Sequence, residues 1–153
     1  MWETLFSVNS AIAMIGWVLL AFFPRKPLTS SIILFVGVGL LCLSYAVLFV
    51  LLNSGNIDPG LPAGTTAAAV SFNSIAGVRA IFQSDGGVLV GWTHYLAFDL
   101  FVGLWISKDA DAKGFSRIFQ LPILFATLMA GPIGLLLWLV IREGRARLAG
   151  RPR

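Results

Sequence analysis

Charged side chains are scarce in this sequence. They make up 12% of its 153 residues, whereas 58% of the residues are hydrophobic. A soluble domain is typically about 25% charged, so this balance excludes a water-soluble fold. It predicts an all-α protein that is embedded in a membrane.

Histidine and cysteine occur once each, as His94 and Cys42. One histidine cannot supply both axial ligands of a b-type haem within a single chain, nor a multi-histidine iron or zinc site. One cysteine excludes an intrachain disulfide and a four-thiolate metal site. A phosphate loop and a dinucleotide glycine fingerprint are also absent. We therefore expect no metal and no cofactor, and any catalysis would use acid, base or electrostatic groups.

Long apolar runs fill most of the chain. A helix needs about 20 apolar residues to cross a bilayer, so the runs predict a four-transmembrane-helix bundle forming a single domain over residues 1–153. The predicted spans are residues 5–23, 31–52, 87–106 and 118–141. Pro122 and Pro132 should kink the last span unless neighbouring groups satisfy the carbonyls that the prolines leave free.

A less apolar segment separates the second and third predicted spans. It is rich in Gly, Ala, Ser and Thr, and Phe72, Ile75, Val78 and Phe82 recur in it at helical spacing. This pattern predicts an amphipathic interfacial helix at about residues 66–83. A re-entrant segment or a fifth span is the alternative.

The last twelve residues, 142–153, form a basic tail with five arginines. A basic tail beside a span typically contacts anionic lipid headgroups. Without a folded soluble module, nucleic-acid binding is not expected. Basic residues divide almost evenly between the two sides of a four-span topology, so they do not fix its orientation.

The third predicted span is the most polar one. Asp99 lies near its middle, where an ionised carboxylate costs about 3 kcal/mol or more unless it is paired or hydrated. Tyr95 and Trp92 lie on the same side of the helix as Asp99, so these three side chains can face one cavity. His94 is displaced from Asp99 by about 140°. His94 could line a pocket from the other side or meet a group on another helix.

Each of these polar side chains also has a purely structural interpretation. Asp99 could hydrogen-bond Asn9, Ser10 or Ser44 to fix helix packing, and Asn9 could form a hydrogen bond between helices. His94 could be an interhelical hydrogen-bond donor, and Tyr95 could be a packing aromatic. Trp92 and Trp105 could be anchors at the membrane interface.

A long specific run lies at residues 91–106, where the chain reads GWTHYLAFDLFVGLWI. This run resembles the signature of the neoxanthin-synthase-like membrane family, the family of the plant abscisic-acid-deficiency locus for neoxanthin formation. The resemblance extends over nearly the whole chain, with further matches at Asn9, Gly16-Trp17, Pro24, the run GPIGLL at residues 131–136, and Arg142. Leu104 stands where the family usually has arginine, so a charge pairing made by that arginine cannot form here.

The resemblance implies a membrane protein that modifies a carotenoid or another isoprenoid. The plant activity resembles an isomerisation in which the epoxide of violaxanthin opens and a neighbouring proton leaves to give an allene. Such chemistry needs an acid, a base and an apolar slot for a long polyene. His94 and Asp99 are the candidate acid and base, with Tyr95 as an alternative proton donor. The candidate substrate-binding residues are Asn9, Trp92, Phe98, Phe101 and Trp105.

Two other functions stay open at this stage. A non-catalytic membrane module could bind a lipid or pigment or scaffold a partner, and His94 and Asp99 would then affect assembly rather than turnover. A small proton-coupled transporter would use Asp99, although four spans without inverted repeats would require a homodimer. The chain starts almost directly at the first span without an obvious transit peptide, so we expect a bacterial inner (cytoplasmic) membrane.

Overall fold

The computed structural model describes residues 1–64 and 69–149, with side chains described up to residue 143. Every regular element in these ranges is a helix, which confirms the all-α prediction. The elements are α1 (Trp2–Phe22), α2 (Pro27–Ser31), a π-helical stretch (Ile32–Val38), α3 (Gly39–Asn53), α4 (Ile75–Ile81), α5 (Asp85–Ala112), α6 (Arg117–Met129) and α7 (Gly131–Ala149). Residues 66–68 of the expected interfacial helix and residues 150–153 of the expected basic tail lie outside the described residues.

Three helical segments of the described chain are long and apolar enough to cross a membrane. They are Trp2–Phe22, Pro27–Asn53 and Asp85–Ala112, with 21, 27 and 28 residues. The fourth predicted span is divided between α6 and α7, and α6 has only 13 residues. Because a complete crossing needs about 20 residues, α6 is too short to cross alone.

Helix α5 lies at the centre of the fold and packs against α1, α3, α6 and α7. In the most apolar 18-residue stretch of α5, about 56% of the residues are buried, against 28% in the corresponding stretch of each of the other two candidate spans. Leu100 of α5 illustrates how closely the helices approach, because a Cβ added to Gly16 of α1 would lie 2.6 Å from Cδ2 of Leu100. A small residue at position 16 is therefore what lets α1 and α5 come together.

The segment before α5 contains less helix than the sequence pattern indicates. Residues 69–74 are not helical, and the helix α4 covers only Ile75–Ile81. Ser74 begins α4 by accepting a hydrogen bond from the Gly77 N–H at 3.0 Å, and Ser84 begins α5 by accepting one from the Gly87 N–H at 3.1 Å. These two N-caps fix where each helix starts, and residues 82–84 separate the short helix α4 from α5.

Candidate functional site

Helices α6 and α7 are separated by a break at Ala130. The backbone there has φ −158° and ψ 80°, which is not helical. In a continuous helix the Leu128 carbonyl would accept from the N–H of residue 132, but Pro132 has none. The Tyr95 hydroxyl donates to that carbonyl instead, at 3.1 Å. Tyr95 therefore satisfies the carbonyl that the proline leaves free.

Asp99 lies at the other side of the same break. Its carboxyl group is beside the backbone N–H of Gly131, the first residue of α7, and beside the Tyr95 hydroxyl. The position is so close that a Cβ on Gly131 would overlap the Asp99 carboxylate. A carboxylate at a helix N-terminus is stabilised by the free N–H groups and the helix dipole. Asp99 thus caps α7 from a neighbouring helix.

The Asp99 carboxylate is not fully satisfied by these contacts. Its side chain is 7% exposed, and in the described part of the chain its Oδ2 atom is buried without a hydrogen-bond partner. A phenol has one proton to donate, and that of Tyr95 goes to the Leu128 carbonyl. The structural role of Asp99 is therefore centred on Gly131.

Trp92 extends this polar face of α5 toward α1. Its indole Nε1–H donates to the Ser10 hydroxyl at 3.0 Å. Its ring stacks on Phe6 and on Tyr95, with centroid distances of 5.6 and 5.3 Å. The structure thus brings Trp92, Tyr95 and Asp99 together on one face, which runs from α1 to the break between α6 and α7.

Asn9 joins three helices through hydrogen bonds. Its amide nitrogen donates to the Ser44 hydroxyl at 3.0 Å and to the Thr93 hydroxyl at 2.9 Å. It is buried, and both partners sit on other helices. These contacts correspond to the helix-to-helix hydrogen bond that was the alternative role of Asn9.

His94 faces a different part of the molecule. A cavity of about 520 Å³ lies between α3, α4, the first turns of α5 and parts of the connecting segment, and His94 lines it. The imidazole ring is 4.6 Å from the Phe98 ring and 5.7 Å from the Tyr45 ring, measured between centroids. Most of the remaining wall is apolar, and includes Phe49, Leu52, Leu61, Phe72, Phe82 and Val90.

His94 and Asp99 therefore do not share a site. They are five residues apart on one helix, which turns their side chains about 140° away from each other. Asp99 points to the start of α7, whereas His94 lines the cavity beside α3. Among the described residues, an acid and a base that act together in the cavity would have to include a partner for His94 other than Asp99.

Tyr45 lies in the second predicted span and was not among the candidate site residues. It lines the cavity, its ring stacks on Phe49 at 5.8 Å, and it lies against His94. The signal that could have found it is that the only large polar side chain within the second apolar run is a phenol, at position 45. Its meeting with His94 depends on how α3 packs on α5, which the sequence pattern does not specify.

A second polar cluster joins the helices at the end of the bundle that is remote from the His94 cavity. The Arg25 side chain is 4% exposed, and its Nη1 is 3.0 Å from the Asp111 carboxylate and also donates to Gln120. Burial lowers the pKa of Arg25, and the hydrogen bond and charge of Asp111 oppose that change. The cluster fastens the turn after α1 to the connection between α5 and α6.

Asp109 forms a further polar cluster, between α5 and α7. Its carboxylate accepts from the Trp138 indole N–H at 3.0 Å and from the Arg142 Nε–H at 2.9 Å. Lys113 lies 3.3 Å from it. The Arg142 guanidinium also lies 5.8 Å from the centre of the Trp105 ring. This cluster, like that of Arg25, joins helices at the end of α5 remote from the His94 cavity.

The fold and the cavity define an all-helical membrane protein with one histidine in an apolar cavity between its helices. The chain belongs to the ABA DEFICIENT 4-like family, whose family model matches residues 4–138. This match confirms the resemblance to the family and covers the run at residues 91–106, whereas Arg142 lies outside the matched residues. No curated protein and no solved structure matched the chain.

Proposed function

We propose that this protein binds a carotenoid or a related isoprenoid in the His94 cavity and isomerises it by acid–base chemistry. The observation that carries the proposal is the cavity of about 520 Å³ with mostly apolar walls and one imidazole. Such a cavity offers apolar walls to an apolar ligand and presents a few polar groups to one part of that ligand. The family supports an isoprenoid ligand.

The proposed reaction is the opening of an epoxide with formation of an allene. A proton is added to the epoxide oxygen as the C–O bond breaks and its electron pair goes to the oxygen. A base removes a proton from the neighbouring chain carbon, and the electrons of that C–H bond form the new double bond. Substrate and product are isomers, so the reaction needs no oxidant or reductant.

We assign the two proton transfers to His94 and Tyr45. Neutral imidazole is the commonest general base in proteins, and a tyrosine hydroxyl can donate a proton to a developing oxyanion. The two rings lie 5.7 Å apart between centroids in one cavity, so both can reach a single end group of a ligand. Asp99 and Tyr95 act as positioning residues that hold the break between α6 and α7.

The topology that we propose has four membrane-embedded segments. Helices α6 and α7 together form the fourth, as one discontinuous segment whose broken backbone is satisfied by Tyr95 and Asp99. Helix α4 lies in the membrane interface, where Ile75 is 81% exposed and can contact lipid. The setting that we propose is a bacterial cytoplasmic membrane.

A non-catalytic pigment- or lipid-binding protein is the second candidate. The observation in its favour is that two of the three expected catalytic residues, Asp99 and Tyr95, are occupied with the helix break. In that case the cavity holds a ligand that leaves unchanged. Turnover separates this candidate from the isomerase.

The test is incubation of the purified protein in mild detergent with violaxanthin, followed by chromatography and mass spectrometry of the pigments. If the protein is an isomerase, the product should have the same mass as violaxanthin. His94→Gln and Tyr45→Phe should each lower the rate by about a hundredfold or more if they transfer protons. The control is Cys42→Ser, an exposed position outside the cavity, which should keep the wild-type rate.

Each outcome distinguishes the two candidates. Product formation that depends on His94 and Tyr45 supports the isomerase. Pigment that binds the wild type and is recovered unchanged supports the binding protein. Full activity in both cavity variants would overturn the assigned roles of these two residues.

A further inference from the structure

Helices α6 and α7 lie side by side and point in opposite directions. The ring of Phe115, which precedes α6, contacts the ring of Trp138 in α7, with 5.1 Å between the two centroids. These residues are 23 positions apart in the sequence, and a single straight helix would separate them by about 35 Å. The chain therefore reverses its direction between them, at the break at Ala130.

The backbones of the two helices touch beside this break. A Cβ added to Gly134 would lie 2.5 Å from the Cα atom of Thr127. Seven positions along one straight helix would separate these residues by about 10 Å. Because position 134 has no side chain, the two helices can pack as an antiparallel pair. We refer to residues 117–149 as the α6–α7 hairpin.

Contacts with α5 show where the hairpin begins, turns and ends. Its tip lies against Asp99, near the middle of the 28-residue helix α5. Helix α7 then runs along α5 toward Asp109, which accepts hydrogen bonds from Trp138 and Arg142. Helix α6 begins at the same end of α5, where Gln120 donates to a carboxylate in the last turns of α5. The hairpin therefore starts and finishes at one end of the bundle.

Each arm of the hairpin has the length of part of a bilayer. Helix α6 has 13 residues, and α7 has 11 residues from Gly131 to Ile141 before its first charged side chain, Arg142. At about 1.5 Å per residue the two apolar arms measure about 20 and 16 Å, whereas a hydrocarbon core is about 30 Å thick. Since the arms are antiparallel, their lengths do not add up to one crossing.

The hairpin also decides on which side the basic residues lie. Because both arms end where α5 ends, Arg142 lies on the same side as the turn after α1 and the connection between α5 and α6. In residues 1–143 the other side holds one basic residue, Arg79, next to the start of α5. The remaining six lie on the hairpin side, namely Arg25, Lys26, Lys108, Lys113, Arg117 and Arg142. Lys and Arg accumulate on the cytoplasmic side of membrane proteins.

We propose that α6 and α7 form a re-entrant hairpin, that the chain crosses the membrane three times, and that the end with Arg25 and Arg142 faces the cytoplasm. The three crossings are the three candidate spans, Trp2–Phe22, Pro27–Asn53 and Asp85–Ala112. This topology replaces the complete fourth crossing that the apolar runs predict, and it gives the orientation that a four-span topology leaves open. The orientation rests on the proposed bacterial cytoplasmic membrane, whereas the hairpin does not.

This orientation places the His94 cavity in the outer half of the membrane. The cavity is lined by the end of α3, by α4 and by the first turns of α5, at the opposite end of α5 from Asp109. Phe72 belongs to its wall and is 75% exposed. A ligand therefore enters the cavity from the outer side of the membrane.

Cysteine labelling tests the hairpin and the orientation together. Cys42→Ser removes the one thiol of the chain, and single cysteines then replace the exposed residues Asn56, Ala112 and Glu143. Spheroplasts of a bacterial host are treated with a membrane-impermeant maleimide before and after lysis. Asn56→Cys should react in intact spheroplasts, whereas Ala112→Cys and Glu143→Cys should react only after lysis. Phe72→Cys should behave like Asn56→Cys.

The two parts of the proposal fail in different ways. Opposite behaviour of Ala112→Cys and Glu143→Cys would place them on two sides and overturn the hairpin. Reaction of both before lysis would overturn the orientation, whether Asn56→Cys is protected or reacts as well. Protection of Phe72→Cys in intact spheroplasts would overturn the outer position of the cavity mouth. None of these results depends on violaxanthin turnover, so they are independent of the proposed reaction.

Distances within the purified protein test the hairpin without a cell. Nitroxide labels on Ala112→Cys/Glu143→Cys, in the Cys42→Ser background in nanodiscs, should lie closer together than labels on Asn56→Cys/Ala112→Cys, which lie on either side of a hydrocarbon core of about 30 Å. Electron–electron double resonance measures both distances. A separation of about 30 Å or more between positions 112 and 143 would overturn the hairpin. Thermal unfolding at the wild-type temperature verifies that each labelled variant is folded.

Discussion

The carboxylate of Asp99 on α5 lies against the backbone N–H of Gly131, so a side chain of one helix caps the start of another. A helix end that is buried among other helices has no water to satisfy its free N–H groups, and a buried carboxylate has no water to solvate its charge. Placing the two together offsets both costs. The same contact explains why position 131 is occupied by glycine, since a Cβ there would overlap the carboxylate.

Replacement of Asp99 should affect stability more than chemistry. Asp99→Ala leaves the start of α7 without its acceptor and should lower the free energy of unfolding by about 1–3 kcal/mol. Asp99→Asn keeps an amide oxygen that can accept from Gly131, so it should lose less stability and keep most of the turnover. Thermal unfolding in detergent and violaxanthin turnover measure the two effects. A fully folded Asp99→Asn variant without activity would instead show that Asp99 takes part in the reaction.

Gly131→Ala should destabilise the protein because the added methyl group displaces the Asp99 carboxylate. We expect a loss of about 1–3 kcal/mol, the usual cost of overpacking a filled site. Gly39→Ala is the matched control, since a Cβ at that helical position would meet its nearest neighbour, the Leu34 carbonyl oxygen, at an ordinary 3.5 Å. Equal melting temperatures for the two variants would contradict the close contact at Gly131.

The hydrogen bond from Tyr95 to the Leu128 carbonyl predicts a specific rescue. Tyr95→Phe leaves that half-buried carbonyl unsatisfied, at a cost of about 1–3 kcal/mol. Pro132→Ala restores an N–H four residues after Leu128 and can satisfy the same carbonyl within the helix. Tyr95→Phe should therefore cost less in the Pro132→Ala background than in the wild type.

A double-mutant cycle measures this coupling. The four proteins are the wild type, the two single variants and the double variant, compared by thermal or denaturant unfolding in one detergent. Additive effects would show that Tyr95 and Pro132 act independently. Tyr45→Phe, which removes a hydroxyl in the cavity, is the control and should show no coupling to Pro132→Ala.

The sequence predicted the helical class and much of the geometry of α5. Apolar runs correspond to the three candidate spans, because burial in lipid requires such runs irrespective of tertiary packing. Helical periodicity alone gave the shared face of Trp92, Tyr95 and Asp99 and the separation of His94 from Asp99. The run at residues 91–106 was specific enough to indicate the family by itself, because its aromatic and polar residues follow one another in a fixed order.

Other features depend on contacts between distant segments and could not be read from a local pattern. Pro132 predicted a disturbed helix, but the division into α6 and α7 depends on Asp99 and Tyr95 reaching the break from α5. The spacing of Phe72 and Ile75 predicted a long interfacial helix, whereas Ser74 caps α4 and places Phe72 before its start. Tyr45 joined the site only because α3 packs beside His94.

The Arg25 cluster gives a prediction at the other end of the bundle. Arg25 donates to the Asp111 carboxylate, to the Ser107 carbonyl at 3.3 Å and to Gln120, and its side chain is almost fully buried. Arg25→Lys keeps the charge but loses the separate Nε–H donor, which bonds the Leu20 carbonyl at 3.2 Å, and the fixed geometry of the guanidinium. Because Asp111 is partly exposed, we expect the loss of stability to be about 1–2 kcal/mol rather than the full cost of breaking a buried ion pair.

Lys26→Arg is the matched control for this substitution, since Lys26 is the next residue and is exposed. It should leave the melting temperature unchanged. Violaxanthin turnover should stay close to the wild-type value in Arg25→Lys, because the cluster lies at the far end of α5 from His94. A loss of turnover in a folded Arg25→Lys variant would contradict that separation and would show that the connection between α5 and α6 controls the cavity.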